Sequence, residues 1–439
     1  DGYRWLRTLD GYGMGGILAD DMGLGKTVQV LSYLLAMKQN GQTLPSLIVC
    51  PASLVLNWAE ECQKFTPELS CVVVDGDAAH RAELAESWPA ADLVVTSYDL
   101  LRRDEALYEG QEFYACILDE AQAIKNHTTQ KYKAVCKVRS RVRFALTGTP
   151  VENRLGELWS VFSFLMPGYL PPYKSFCSRF EKPIVQEEDQ TAVRRLNQLT
   201  GPFILRRMKS DVLKELPPKT ENVYRIELEE EQRKLYLAAV VDAREKLQAA
   251  KPEDKMAVFA VLMRLREICC DPRLIADNWE GGSAKLDACA ELVSSAVEGG
   301  HRILLFSQFT SMLELLAKRL DAEGISHFTL QGSTPKPVRA ELVRRFNGGE
   351  VSVFLISLRA GGTGLNLTAA DIVIHYDPWW NVAAQNQATD RAYRIGQQNP
   401  VQVYKLIAQD TIEEKIVELQ QAKQSLADTV TGTADEIGR

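Results

Sequence analysis

The stretch ILADDMGLGKTVQVLSYLLAMK, residues 17–38, decides the fold of the first half of this chain. A short apolar run is followed by a glycine turn and then by a segment of helical length. Gly23 and Gly25 let backbone N–H groups approach an anion closely, and a helix N-terminus adds a favourable potential. Lys26 and Thr27 place a cation and a hydroxyl at the same turn. This order of strand, turn and helix predicts a phosphate-binding loop.

The match to the loop pattern G-x-x-x-x-G-K-[ST] is incomplete, because Asp20 stands in the place of the first glycine. A glycine-rich turn without a ligand is the alternative, but such a turn does not need Lys26 and Thr27 after its last glycine. We therefore predict that Lys26 neutralises nucleotide phosphates and that Thr27 binds Mg²⁺. The predicted nucleotide-binding residues of the loop are Met22, Gly23, Leu24, Gly25, Lys26, Thr27 and Val28.

A second candidate site lies in ACILDEAQ, residues 115–122, where an apolar strand ends in two acids. Asp119 would hold Mg²⁺, and Glu120 would orient the attacking water and receive its proton. A strand followed by a polar turn is the alternative interpretation. Since parallel sheets bind ligands at the carboxyl ends of their strands, the acids and the phosphate loop together predict hydrolysis of ATP with Mg²⁺.

Apolar runs alternate with helical segments along the chain, which predicts an α/β fold with parallel sheets covered by helices on both faces. This alternation of strands and helices occurs in both halves of the chain, so we expect two lobes. Strands are predicted at residues 15–20, 46–51, 71–76, 92–98, 115–120 and 143–148 in the first half, and at 302–307, 326–332, 351–357, 371–377 and 401–408 in the second.

The two lobes are predicted to be joined by a charged, proline-containing connector. We place the first lobe at residues 1–205, the connector at 206–220 and the second lobe at 221–439. Residues 228–275 have little strand propensity, so they are interpreted as a helical insertion on the second lobe.

Composition limits the possible function classes. With 46% hydrophobic and 25% charged residues the chain is typical of a globular protein, and no apolar run has the length of a membrane span. Nine cysteines without a C-x-x-C pair argue against a zinc site or a disulfide framework. The net charge of −7 gives no general support to nucleic-acid binding, so any DNA contact must be local. Because the chain begins with Asp, we expect it to be a segment of a longer protein.

Ten segments, in order along the chain, resemble the motifs of the Swi/Snf-related DNA translocases of helicase superfamily two. DDMGLGKT, DEAQ, LTGTP and QATDRAYRIGQ are similar to motifs I, II, III and VI, and they start at residues 20, 119, 146 and 387. The other similar segments are CPASLVLNW (50–58), TSYDLL (96–101), FILRRMKSDV (203–212), LFSQFTSML (305–313), SLRAGGTGLNLTAA (357–370) and DPWWN (377–381).

The resemblance implies two RecA-like lobes with ATP between them. Arg391 and Arg394 match the arginine fingers, and we expect them to share one face of a helix. Such fingers contribute about 10³- to 10⁵-fold in rate in other NTPases, so hydrolysis is expected to need closure of the lobes. A solvated helix face is the alternative interpretation of these arginines. The resemblance adds three nucleotide-binding residues, Gln122, Gly364 and Gln387.

DNA contacts are also implied by the resemblance. Small, hydroxyl and glycine residues suit contacts to phosphates, which fix the position of DNA without reading bases. For Trp379 and Trp380, contact with the DNA strand and packing in the core are both open. The predicted DNA-binding residues are Ser53, Asn57, Ser97, Tyr98, Ser307, Gln308, Arg359, Gly361, Gly362, Thr363 and Trp380, with Gly364 in the same segment.

Two residues depart from the family's pattern. Tyr393 stands where the family usually has His, and Val382 where it usually has Pro. Neither replaces a group that the hydrolytic chemistry needs, so we expect activity to be retained. The family's adenine-reading glutamine would precede residue 1, so the sequence makes no prediction about base recognition.

The predicted function is an ATP-dependent translocase on double-stranded DNA that remodels protein–DNA complexes without strand separation. The alternatives are a strand-separating DNA or RNA helicase and a nucleotide-gated DNA-binding module. DNA-bound proteins such as histones or RNA polymerase are the expected further partners, with no membrane partner and with a monomeric motor core. The expected location is the cytoplasm, with the nucleoid, for a prokaryotic protein, and the nucleus for a eukaryotic one.

Overall fold

The computed structural model describes residues 1–148, 155–187, 189–212, 216–249, 255–276, 278–361, 365–394 and 396–431. It divides into two compact units, residues 1–214 with 423–439 and residues 215–422. Each unit contains one sheet, and in both sheets all the strand pairs are parallel.

The first unit has a seven-stranded sheet in the order β3-β4-β2-β5-β6-β1-β7. The central strands are buried on both faces, which explains their continuous apolar runs rather than an alternating pattern. The strands are β1 (Gly16–Leu18), β2 (Ser46–Cys50), β3 (Cys71–Val73), β4 (Leu93–Ser97), β5 (Glu112–Asp119), β6 (Arg139–Leu146) and β7 (Ile204–Leu205).

Helices follow most strands of the first unit, and their apolar faces form one continuous core with the sheet. They are α1 (Gly2–Gly11), α2 (Lys26–Gln39), α3 (Val55–Phe65), α4 (Ala78–Ser87), α5 (Tyr98–Arg103), α6 (Glu105–Tyr108), α7 (Gln130–Lys137), α8 (Leu155–Leu165), α9 (Tyr173–Phe176), α10 (Lys182–Gln186), α11 (Gln190–Thr200) and α12 (Lys209–Val212).

The second unit has a six-stranded sheet in the order β10-β11-β9-β12-β13-β8. Alternate residues of one strand enter different cores: Ile303 and Leu305 belong to one cluster, Leu304 and Phe306 to another. This alternation shows helices packed on both faces of the sheet. The strands are β8 (Lys219–Ile226), β9 (Ile303–Ser307), β10 (His327–Leu330), β11 (Val353–Ser357), β12 (Ile372–His375) and β13 (Val401–Ala408).

Two long helices come between β8 and β9 at the place of the predicted helical insertion, and they share a small core with the end of β13. The helices of this unit are α13 (Glu230–Ala249), α14 (Lys255–Cys270), α15 (Ala284–Glu298), α16 (Thr310–Ala322), α17 (Lys336–Asn347), α18 (Leu358–Gly361) and α19 (Val382–Thr389), and α20 (Ile412–Thr431) begins in this unit.

The predicted α/β class and all eleven predicted strands are confirmed. Two strands were missed. β7 is only two residues long, and β8 is exposed along seven of its eight residues, so it lacks the apolar pattern of a buried strand. Within the predicted connector, residues 206–220, lie α12 and the start of β8.

The cysteines lie mainly in the interior of the two units. All nine are free, and six of them are buried. Within the described ranges, no cluster of three or more Cys, His, Asp or Glu residues could hold a metal ion. The described helices also include none whose length and hydropathy would let it cross a bilayer.

Candidate nucleotide site and DNA contacts

The predicted phosphate loop connects β1 to α2. Gly23 and Gly25 have φ of 82° and 72°, in the left-handed region that favours glycine, and α2 begins directly at Lys26. Lys26 Nζ donates to the carbonyls of Asp20 at 2.6 Å and Asp21 at 3.3 Å. The ammonium is therefore held against the loop, where it can exchange carbonyl partners for phosphate oxygens. Met22, Leu24, Thr27 and Val28 are half-buried around this turn.

Asp20, the residue that departs from the loop pattern, holds the loop to the segment after β7. Its carboxylate is fully buried and accepts from Arg207 Nε at 3.0 Å and from Gln29 Nε2 at 3.2 Å, with a second, shorter bond from Arg207 Nη2. Arg207 also donates to Gln29 Oε1 at 2.8 Å. These three side chains connect the segment after β7 to the loop, so an acid replaces the missing glycine for a structural reason.

Asp119 ends β5 at the same sheet edge. Its Oδ2 accepts from Trp58 Nε1 at 2.9 Å, and its Oδ1 accepts from the Glu120 backbone N–H at 2.9 Å. Tyr98 donates its hydroxyl to the Asp119 carbonyl at 2.9 Å. Burial of the carboxyl, with the Glu120 charge beside it, raises the pKa of Asp119 to about 7, and Lys26 opposes this rise.

Glu120 adopts a left-handed backbone conformation, with φ of 50°, which is uncommon for a residue other than glycine. Its Oε2 accepts from Gln122 Nε2 at 2.6 Å, and Gln122 Oε1 accepts from Thr147 Oγ1 at 3.1 Å. Thr147 follows β6, so two adjacent strand ends fix the carboxylate of Glu120. Backbone strain of this kind is typical of functional sites.

The donor set of this edge fits Mg²⁺. The ion prefers oxygen ligands and takes only one or two carboxylates from protein, with phosphates and water as its other ligands. Asp119 is a carboxylate with no salt bridge among the described residues, and Thr27 supplies a hydroxyl at the start of α2. These two residues are the ones that would hold the ion.

The predicted placement of Arg391 and Arg394 on a helix is wrong. α19 ends at Thr389, and both arginines lie in the turns that follow it. The Arg391 N–H bonds to the Ala388 carbonyl at 3.2 Å, and the Arg391 carbonyl accepts from Leu367 N at 3.0 Å. The bonds after α19 include the i→i−3 pair Arg391 to Ala388, and the Arg391 carbonyl serves a tertiary contact. Arg391 is buried and Arg394 half-buried, both within the second unit.

The predicted DNA-binding residues of the first unit occupy different environments. Ser53 and Asn57 are half-buried near the start of α3, and Asn57 donates to Glu61 at 3.2 Å. Ser97 is buried and caps α5 by accepting from Leu100 N at 3.2 Å. Tyr98 is buried with its hydroxyl on the Asp119 carbonyl. Tyr98 thus links the predicted DNA segment to the acid pair.

In the second unit, Ser307 ends β9 and donates to Asp377 Oδ1 at 2.6 Å, and Gln308 follows it. Trp380 is half-buried, and Trp379 packs partly against one core cluster of the sheet. The backbone of Arg359 and Gly361 lies in α18, and Gln387 is half-buried in α19. Three predicted residues lie outside the described ranges, Gly362, Thr363 and Gly364.

Sequence reasoning missed three residues that hold these sites. Trp58 bonds Asp119, Arg207 bonds Asp20, and Arg266 bonds Gln308 at 2.9 Å. The sequence indicated two of them only by position, since Trp58 lies in the quoted segment CPASLVLNW and Arg207 in FILRRMKSDV. Arg266 lies in a helix with no recognised motif and gave no such signal. Long-range partners separated by 42 to 187 positions cannot be paired by local pattern.

Comparison with known families shows which family the chain belongs to. The family model for the SNF2-related domain matches residues 1–274, and the model for the helicase conserved C-terminal domain matches residues 284–396. The chain therefore belongs to the SNF2-related family. It is an ATPase core of this family, with a helicase-like, ATP-dependent motor organisation in two parts.

Several relatives match almost the whole chain. An uncharacterized ATP-dependent helicase of Mycoplasma pneumoniae is 42% identical over 97% of this chain, and the putative ATP-dependent helicase/translocase YwqA of Bacillus subtilis is 41% identical over 98%. The chain covers 41% and 48% of these two proteins, so it spans less than half of their length. The Sulfolobus solfataricus SWI2/SNF2 ATPase core, solved in complex with dsDNA, is 35% identical with a TM-score of 0.50, and the match covers 99% of this chain and 92% of that one.

Proposed function

We propose that this chain couples ATP hydrolysis to movement along double-stranded DNA, without separating the strands, and thereby remodels protein–DNA complexes. The observation that carries the proposal is the arrangement in the first unit: a phosphate loop with Lys26 at the helix start, and Glu120 fixed through Gln122 and Thr147. Such a site is built for hydrolysis rather than for binding alone.

The chemistry follows from the residues. Lys26 neutralises phosphate charge, and backbone N–H groups of the loop orient the phosphates. Glu120, held by Gln122, orients the attacking water and accepts its proton. Thr27 and Asp119 would hold Mg²⁺, which would stabilise the charge that develops on phosphate oxygens. Arg391 and Arg394 of the second unit supply further positive charge when the two units close on the nucleotide, so that closure controls the rate.

Duplex DNA is favoured as the track by two facts about relatives. The Sulfolobus core was solved with dsDNA, and the Bacillus relative is named a helicase/translocase. The test is steady-state ATP hydrolysis with no nucleic acid, single-stranded DNA, duplex DNA or RNA. We expect duplex DNA to stimulate hydrolysis most. Equal stimulation by the three nucleic acids, or stimulation by RNA alone, would contradict the proposal.

Movement is tested separately by displacement of a third strand from a triplex, which requires travel along the duplex but no unwinding. We expect ATP-dependent displacement of the third strand, with no unwinding of a forked duplex.

A strand-separating helicase is the second candidate, favoured by the name of the Mycoplasma relative. Unwinding of the fork would support that candidate instead. A nucleotide-gated binding module is a third possibility, and steady-state release of phosphate would rule it out.

The protein partners are proposed on the same basis. Relatives include the TATA-binding protein-associated factor Mot1 of Aspergillus fumigatus and a mouse SWI/SNF-related regulator of chromatin. We infer that the track carries bound proteins, such as histones or RNA polymerase, that the motor moves or releases. Displacement of a labelled protein from duplex DNA in the presence of ATP tests this inference.

A further inference from the structure

Arg266 of α14 lies at the centre of a buried polar cluster in the second unit. Its side chain is fully buried, and Nη1 donates to Gln308 Oε1 at 2.9 Å. Nη2 donates to the Pro378 carbonyl at 2.5 Å and lies 3.4 Å from Asp377 Oδ2. The guanidinium also lies 5.5 Å from the centre of the Trp380 ring. One side chain therefore connects the residue after β9 with the segment after β12.

The bond from Arg266 decides how the Gln308 carboxamide is oriented. A guanidinium carries only donors, so it must face the amide oxygen. The amide nitrogen Nε2 is left at the other end, screened from solvent and without a hydrogen-bond partner in the described part of the chain. A buried donor without a partner is unfavourable. The cluster therefore holds a donor that would be satisfied by a ligand rich in acceptor oxygens.

The DNA backbone is such a ligand, because phosphate oxygens only accept. We propose that Arg266 is a positioning residue for DNA: it holds Gln308 with its amide nitrogen available to a phosphate oxygen, and it holds the Trp380 ring nearby. Since Nε2 is screened in this structure, the phosphate reaches it only after neighbouring side chains shift. This inference rests on the proposed function, since it names the DNA backbone as the acceptor.

The chain offers a matched control in the same unit. Lys285 is also a fully buried cation, it lies 2.5 Å from the buried carboxylate of Glu413, and its ammonium is 5.5 Å from the centre of the Tyr376 ring. Neither Glu413 nor Tyr376 is a predicted DNA-binding residue. Loss of Lys285 should therefore disturb folding as loss of Arg266 does, but should leave the affinity for DNA unchanged.

The experiment measures ATP hydrolysis as a function of duplex DNA concentration, together with thermal unfolding. The variants are Arg266→Met, Arg266→Lys, Gln308→Glu and the control Lys285→Met. For Arg266→Met we expect the half-saturating DNA concentration to rise about tenfold, the effect of about 1.4 kcal/mol in binding. Arg266→Lys keeps the charge but places all its donors on a single nitrogen, so the rise should be about threefold.

Gln308→Glu is the sharpest variant, and thermal unfolding separates its effect on stability from its effect on DNA binding. It keeps an acceptor for Arg266 but replaces the free donor with a carboxylate oxygen that repels phosphate, so its rise should equal or exceed that of Arg266→Met. A purely structural role would lower the maximal rate in proportion to lost folded protein and leave the half-saturating concentration where it is.

The outcomes are distinct. If wild-type protein is stimulated by duplex DNA but the Arg266 and Gln308 variants keep its half-saturating concentration, the inference is overturned and the proposed function stands. The same holds if Lys285→Met shifts that concentration as much as Arg266→Met. If duplex DNA does not stimulate the wild type, the proposed function fails, and this inference fails with it.

Discussion

Asp119 in the first unit and Asp377 in the second both lie at the carboxyl edge of a parallel sheet, but their charges are held differently. Asp119 accepts from an indole and from a backbone N–H, with no salt bridge among the described residues. Asp377 is paired with the buried guanidinium of Arg266 and accepts from Ser307. Burial raises the pKa of both acids, and in Asp377 the arginine opposes the rise.

The difference distinguishes a candidate binding site at Asp119 from a structural ion pair at Asp377. A buried carboxylate without a salt bridge is unfavourable, so Asp119 would be stabilised by a bound cation such as Mg²⁺. The second edge is neutralised within itself, as is the nearby pair of Lys285 and Glu413. Substitutions at the first edge should therefore affect turnover, and substitutions at the second should affect stability or DNA contact.

The largest effect is expected for Glu120→Gln. Loss of the base should slow ATP hydrolysis about 10²- to 10⁴-fold, whereas binding of nucleotide should change little. The comparison is steady-state phosphate release against the Kd of a fluorescent ATP analogue. Retention of normal turnover would show that Glu120 is not the base.

Lys285→Met should lower the stability and leave turnover nearly unchanged, the opposite of the result expected for Glu120→Gln. It leaves Glu413 buried without its cation, which should lower the free energy of unfolding by about 3–5 kcal/mol. Turnover per folded molecule should stay within about twofold of wild type. Chemical denaturation and active-site titration measure the two quantities, and a loss of turnover without a loss of stability would break the distinction between the two edges.

Acid should destabilise the second unit through His375. Burial lowers the pKa of this imidazole to about 3, and its Nε2 lies 2.8 Å from Thr389 Oγ1. The unfolded state takes up a proton below about pH 6.5 that the folded state excludes, so stability is present above that pH and is lost as pH falls. Between pH 7 and pH 5 the loss should be about 2 kcal/mol.

The check on His375 is denaturant unfolding at several pH values, compared with His375→Gln. Other groups titrate alike in both proteins, so the difference between the two curves isolates this side chain. Between pH 7 and pH 5 the free energy of unfolding of His375→Gln should fall by about 2 kcal/mol less than that of the wild type. If the free energies of unfolding of the two proteins change with pH in parallel, the acid sensitivity does not come from His375.

The smallest effect is expected for Trp58→Phe, which removes the hydrogen bond to Asp119. Turnover should fall about tenfold, the equivalent of about 1.4 kcal/mol. Trp88→Phe is a matched control, because Trp88 is equally buried in the same unit and its Nε1 has no partner among the described residues. Both variants should lose similar stability, and only Trp58→Phe should lose turnover; equal turnover in the two would show that the bond is unimportant.

Local pattern was sufficient for much of the fold and the candidate site. The parallel strands are buried runs bounded by turns, and the phosphate loop needs glycines and Lys26 at neighbouring positions, so both appear within a few residues of sequence. β8 was missed because an exposed edge strand has no apolar pattern. Arg391 and Arg394 were wrongly placed on a helix because α19 ends at Thr389, where no glycine or proline marks the end in the sequence.

The sequence by itself determined the class of fold, the phosphate loop and the acid pair, since each depends on residues close together in the chain. Only the tertiary structure decided how these groups are held: Trp58 on Asp119, Arg207 on Asp20 and Arg266 on Gln308. The physical reason is that a buried charge is stable only with a partner, and folding brings that partner from a distant segment to which no local periodicity points.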